Sequence, residues 1–217
     1  MTVLEMTLLL GDLMNDSTVA GTGEGNEWTA ATKVRFLNRS QERFCALVVN
    51  DALSELQTIK SVSAMTSSGF AFSGLSAGNN YFRYVNAKNT TDNVFFTKIE
   101  SGQVGQIDNS LATGEDDDPL CYIFKDTFFP IFTSGNRDVD IWYIRRPKTL
   151  VVSGASGGEA ATCEINDMFH WHIVALAEAW MKSATKEFEN ASALIKTAFD
   201  EIALINQNYK VLESSDE

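Results

Sequence analysis

Apolar positions along this chain change period twice, from helical spacing to strand alternation and back. Leu4, Leu8, Leu10 and Leu13 fit one face of a short helix over residues 3–14. Asp16-Ser17 and the glycines at 21, 23 and 25 then break the pattern. A second stripe follows Trp28. Val34, Leu37, Phe44 and Val48 recur at helical spacing, with Gln41 in the one gap. Thr29 is positioned to accept a hydrogen bond from the opening backbone as N-cap. Its N3 residue, Thr32, replaces the Glu or Gln of a full capping box.

From Ser61 to about Gln106 the period shortens. Phe70-Ala71-Phe72, Tyr81-Phe82-Arg83-Tyr84 and Val94-Phe95-Phe96 sit between Gly, Ser and Asn turns, which predicts short strands of an antiparallel sheet. Three further strands are expected over 120–124, 128–132 and 139–145. Their short connections predict an antiparallel meander. In the last of them Val139, Ile141 and Tyr143 share one face, and Asp140, Trp142 and Ile144 the other. Pro130 lacks a backbone donor, so its strand belongs at an edge or a bulge. Pro147 ends the strand run, and Gly154 to Gly158 read as a loose linker.

Helical spacing then returns. Asn166 or Asp167 can cap, with Ile165 as the staple residue ahead of it. Phe169, Ile173, Leu176 and Trp180 make one stripe. A break at Ser183-Ala184-Thr185 precedes a second, carried by Phe188, Leu194, Ile195, Phe199, Ile202 and Ile205. Two helices joined this tightly predict an antiparallel hairpin, with an acidic, disordered tail over 213–217.

The expected fold is therefore α+β: a helical bundle built from the N- and C-terminal helices, with an inserted antiparallel β-sheet region. The segments are 1–60, 61–150 and 151–217. Trp28, Val34, Leu37, Phe169, Ile173, Leu176 and Trp180 should form the core, with Phe199, Ile202 and Ile205 packing on it or on a neighbouring subunit.

Charge narrows the function classes. The net charge of −12 argues against gripping phosphate, which needs clustered Lys and Arg. It is compatible with a wall that DNA passes without sticking. Cys45, Cys121 and Cys163 are odd in number and far apart, as expected of reduced thiols. Glu5, with no basic residue before Met14, speaks against a secretory start, and no apolar run reaches the length of a membrane span. A soluble chain made in the cytoplasm is expected.

The chemistry-bearing residues form no catalytic set. His170 and His172 lie about 200° apart on a helix and cannot readily share a metal; Asp167 is placed for one contact with His170. The acids at 115–118 lack the alternation and glycine of a calcium loop, leaving a solvated loop or weak cation binding at a subunit contact. Gly154 to Gly158 lack a nucleotide fingerprint, and no G-x-S-x-G elbow is present. A carboxylate pair for glycoside cleavage stays open, since spacing alone cannot show it. Arg35, Arg39 and Arg43 line one helix face, either solvated or turned to an acidic neighbour. Arg145 and Arg146 point to opposite faces of their strand, as plain surface charges or as one internal and one intersubunit contact. No catalytic, cofactor or metal residue is assigned.

Three stretches carry a resemblance. W28-T-A-A-T-K-V-R-F-L-N38, I141-W-Y-I-R-R-P147 and the helix from C163-E-I-N-D-M-F-H to A-L-A-E-A-W180 resemble the head-to-tail connector adaptor (neck) proteins of tailed bacteriophages. The shared features are a tryptophan-led helix with a Leu37-Asn38 step, a late strand closing on Tyr143 and Pro147, and an acidic cap before the final helix pair. About two thirds of the chain is covered, and 61–118 has no counterpart. The resemblance implies a virion-neck structural protein without enzymatic activity: a homo-oligomeric ring, commonly a dodecamer, docked on the portal protein. DNA would pass through it without specific binding, and downstream tail or neck proteins would join its other side. It further implies portal contact through the C-terminal helix, at Leu204, Ile205, Tyr209, Leu212 and Glu213. Subunit contacts are expected at Arg35, Arg39, Arg43, Arg145 and Arg146. The rival readings are a tail-completion or tail-tube ring, or a carbohydrate-binding or hydrolytic module using Trp142 and Tyr143.

Overall fold

The first helix, α1 (Val3–Leu13), starts where Thr2 and Glu5 satisfy each other's backbone. The Glu5 amide donates to Thr2 Oγ1 at 3.2 Å, and the Thr2 amide donates to the Glu5 carboxylate at 2.7 Å. In the computed structural model, residues 1–15, 28–76, 78–106, 118–131 and 135–213 are described, the side chains of 105, 106 and 210–213 excepted. The glycines at 21, 23 and 25, the acids at 115–117 and the tail from 214 lie outside these residues. The chain divides into two compact units, one of residues 1–56 with 147–217 and one of residues 57–146. The α+β class expected from the sequence is what the structure shows.

The first unit is built on α1, α2 (Ala30–Leu47), α3 (His170–Ala184) and α4 (Phe188–Glu213). Thr29 caps α2 by accepting from the Thr32 amide at 3.2 Å. At the other end of α2, Asn206 of α4 replaces the missing turn: it accepts from the Val49 amide at 2.9 Å and donates to the Leu47 carbonyl at 2.8 Å. Helix α3 is packed by α1, α2 and α4. It is buried on several sides, through Ile173, Val174, Leu176, Ala177, Ala179 and Met181. The small alanines let its neighbours approach closely. Contact of His172, early in α3, with Glu201, well along α4, shows that the two helices run antiparallel.

Several helical stripes differ from expectation. On α1 the buried line is Val3, Met6, Thr7, Leu10 and Gly11, while Leu4 is exposed. A run of near-continuous leucine does not mark its own inner face. On α4 the buried line is Ala191, Ala198 and Ile202; Phe188 and Phe199 are exposed. Small residues there set the helix spacing, and large rings are left outside. Leu37, Phe169, Ile173 and Leu176 are buried, but Val34, Trp28 and Trp180 are only half-buried. The Trp180 ring lies at the surface, covered by the Arg39 guanidinium 4.6 Å from its centroid.

Among its described residues the second unit contains two four-stranded sheets. One has the order β1 (Gln57–Met65), β8 (Arg137–Arg145), β3 (Tyr81–Asn89), β4 (Val94–Phe95). The other runs β2 (Phe70–Ala71), β7 (Thr127–Ile131), β6 (Leu120–Phe124), β5 (Thr97–Lys98). Both sheets contribute to one core. Met65, Tyr84, Val139 and Ile141 come from the first, Cys121 and Phe128 from the second, joined by Phe72 and Phe96. Phe128 stands edge-on to Phe96 at 5.6 Å and stacks near Tyr84 at 6.1 Å.

The expected meander is corrected here. β6 and β7 form a hairpin, but β8 leaves them and lies between β1 and β3. Those two strands are nine residues long, as β8 is, and cover both of its edges; five-residue β7 cannot. Pro130 pairs with Cys121 on the β6 side and lies beyond the reach of two-residue β2, so its strand tolerates the missing donor. The sheets are also not purely antiparallel. β5 and β6 are parallel, as are β9 (Thr149–Leu150) and β10 (Glu159–Ala160) in the first unit. The β9–β10 pair corrects the linker reading of 154–158. That loop is closed at its base, with the Thr149 amide donating to Gly158 O and the Val151 amide to Ala160 O, each at 2.9 Å.

Candidate functional site

The turns of α2 from Ala31 to Glu42 and the extended segment 147–152 meet without filling the space between them. The result is an open groove of about 530 Å³, lined on the helix side by Ala31, Val34, Arg35 and Glu42 and on the other by Pro147, Val151 and Val152. Side-chain amides fix its floor. Asn38 treats Leu150 as a strand neighbour would: its Nδ2 donates to Leu150 O at 3.1 Å, and its Oδ1 accepts from the Leu150 amide at 2.7 Å. Gln41 adds a bond to Lys148 O at 2.8 Å and one to Asn38 Oδ1 at 3.2 Å. On the opposite side of the segment, Glu164 accepts from the Lys148 amide at 2.9 Å and pairs with the Lys148 ammonium at 3.4 Å.

Four-residue spacing puts Arg35, Arg39 and Arg43 along one exposed side of α2. Among the described residues, no carboxylate lies within ion-pair distance of any of the three. They rest on rings instead: Arg35 near Phe36 at 5.8 Å, Arg39 over Trp180 at 4.6 Å, Arg43 near Phe199 at 5.8 Å. The geometry brings Arg35 to the groove and ties Arg39 and Arg43 to α3 and α4. In the second unit, Arg145 Nη1 donates to Arg146 O at 3.5 Å, and the Arg146 guanidinium stands 5.9 Å from the Phe82 ring.

At the far end of the first unit, Leu204 is 57% exposed, and Ile205 and Tyr209 are half-buried. Leu212 and Glu213 belong to α4, but their side chains lie outside the description. The start of α4 presents Phe188 at 61% exposure between exposed Glu187 and Glu189.

The candidates for reaction chemistry are held in structural roles. His170 is fully enclosed. Its Nε2–H donates to Ile165 O at 2.7 Å, and its Nδ1 accepts from the Met1 amine at 2.6 Å, with Asp167 at 3.1 Å. Burial holds the imidazole below its ordinary pKa, and the Met1 amine does the same to the Asp167 carboxyl. His172 faces Glu201 at 3.5 Å instead, so the two histidines serve separate contacts. Burial pushes the thiols of Cys121 and Cys163 up to about 11, which keeps both protonated at neutral pH. Trp142 and Tyr143 do not share a cleft. Tyr143 is buried with its hydroxyl donating to Asn79 O at 3.3 Å, while Trp142 meets Phe95 on the other face.

Sequence reasoning missed two features of this surface. Asn38 was visible as an amide inside an apolar helical stripe, where a poor helix former signals a tertiary bond. Phe188 carried no such signal, because an exposed and a buried phenylalanine look alike in a sequence. No curated protein matches the chain. The family model described as SU10 adaptor protein does match, over residues 1–214, and the chain belongs to that family.

Proposed function

We propose that this chain is a structural, non-enzymatic subunit of a bacteriophage head-to-tail adaptor. Copies close into a ring, twelve in number, beneath the portal protein in the virion neck and form part of the DNA conduit. The observation that carries this reading is the match of the adaptor family over residues 1–214.

The physical features support it. Helices from both ends of the chain would supply the ring wall, and the sheet unit would face downstream tail or neck proteins. Each copy brings a net charge of −12, which suits a wall that must not bind passing phosphates. Neighbours of like charge must then be held by apolar and locally matched contacts, for which Arg35, Arg39, Arg43, Arg145 and Arg146 are the candidates. The end of α4, with Leu204, Ile205, Tyr209, Leu212 and Glu213, would reach the portal. Four α-helices among the described residues, one of 26 residues, favour this over a tail-tube ring, which would be mostly β.

The test is to remove residues 210–217 and image the particle neck with the protein labelled. Cutting earlier, at 204, would also delete Asn206 and uncap α2. The shortened protein should fold, its circular-dichroism spectrum differing only by the four helical residues removed, and fail to join portal-bearing particles. Normal incorporation would refute the portal assignment, and absence of the intact protein from particles would refute the adaptor reading.

A further inference from the structure

We propose that the groove between α2 and residues 147–152 receives the α3–α4 tip of a second copy, with Phe188 entering the groove and Glu189 meeting Arg35. This deepens the ring reading above and rests on it.

The groove and the tip are complementary in shape. The hole offers Val34, Val151, Val152 and Pro147 around a space of about 530 Å³, within the size range of cavities that enclose whole side chains or small ligands. The knob is a phenylalanine ring, 61% exposed, in a link whose residues 186–190 are all exposed. The buried line of α4 passes through Ala191 and Ala198, so its packing against α3 does not use this ring. An apolar ring of that size, solvated on a helix tip, gains from any partner that covers it.

Charge is complementary too. Phe188 is flanked by Glu187 and Glu189. The Glu187 carboxylate accepts from Thr185 Oγ1 at 3.3 Å and Asn190 Nδ2 at 3.2 Å, which shapes the tip. Glu189 is then the acid that turns to a neighbour. Arg35, at the groove, has no carboxylate of its own chain within ion-pair distance among the described residues. In a chain of net charge −12, this exposed arginine row is where an acidic tip can settle, with Glu42 the one acid among the residues that line the groove.

A second copy is the occupant because one chain carries both halves of the contact, and both lie in the same compact unit. Two different patches that fit each other make a head-to-tail contact, the kind that repeats from copy to copy and closes into a ring when the rotation allows.

The test reverses the charges in full-length protein assembled into particles. Arg35→Glu and Glu189→Arg, singly, should each lower the number of incorporated copies by about tenfold, the scale of a central interface contact. The two changes together should restore incorporation to within about twofold of the original. Singles that assemble normally, or a combined variant as defective as either single, would overturn the proposal. Should a single variant misfold, Val152→Cys with Phe188→Cys decides. Oxidised in particles, this pair should give a ladder of covalent multimers on a non-reducing gel, and each single cysteine change should not. Particles that contain the protein but yield no ladder count against the proposal. Absence of even the unaltered protein from particles counts against the adaptor reading instead.

Discussion

Replacing Asn38 with alanine should unlock the segment that follows the sheet unit. The side chain makes two bonds to the backbone of Leu150, a residue only 1% exposed, at 2.7 and 3.1 Å. Alanine removes both and leaves a buried amide and a buried carbonyl without their partner. Each such group costs about 1–3 kcal/mol when left unmade. Some relaxation toward water is available at the open groove, so the expected loss is about 2–4 kcal/mol. At about 2–4 °C per kcal/mol for a chain of this size, the helical unit should melt roughly 4–16 °C lower. Urea titration followed by tryptophan fluorescence measures the loss, and hydrogen exchange at the Leu150 amide locates it. Asn38→Asp is the informative companion. It keeps the acceptor for the Leu150 amide but sets a carboxylate against the Leu150 carbonyl, and should be at least as damaging. A loss under about 0.5 kcal/mol with Leu150 still protected would refute the reasoning.

Two further outcomes follow from the geometry. His170 is held below its ordinary pKa, so the unfolded chain takes up a proton first as pH falls. Stability should be full above about pH 6.5 and should drop as pH falls from there through the lowered native value. His170→Gln should flatten that slope, and an unchanged slope in urea titrations across pH 5–7 would show that another group sets it. Gly69 and Gly154 both have φ above +70°, but an added Cβ at Gly69 would run into the backbone oxygen of Phe128, whereas Gly154 faces open space. Gly154→Ala should cost about 1–2 kcal/mol, the ordinary left-handed penalty, and Gly69→Ala clearly more. Equal melting temperatures for the two variants would contradict this.

The helices were readable because their signals are local. Thr29 as cap and the break at Thr185 appear where spacing and capping place them, while Asn166 caps the short 3-10 turn over 167–169 that leads into α3, whose own start at His170 has no side-chain cap. So does the inward face of β8, with Val139, Ile141 and Tyr143 buried. What the sequence hid was non-local. β1 mixes five polar residues with Ile59, Val62, Ala64 and Met65, and Ile59 faces outward while Val62 and Met65 reach the core, so it carries no regular apolar alternation to announce it. Which strand β8 joins depends on matched lengths across the sheet, and nothing in residues 137–145 records that. The arginine row was visible as a pattern. That no described carboxylate pairs with it depends on where the carboxylates end up, and that is a property of the fold.

The first and last strands of the sheet unit are hydrogen-bonded neighbours, with Gln57 opposite Ile144. The chain therefore enters and leaves that unit about 4.8 Å apart, the spacing of paired strands. A segment tethered this way behaves as a cassette. It can lengthen, shrink or be exchanged for another while the flanking residues stay in register, since closing so narrow a gap demands little of whatever bridges it. Diversification among relatives should concentrate between those two strands.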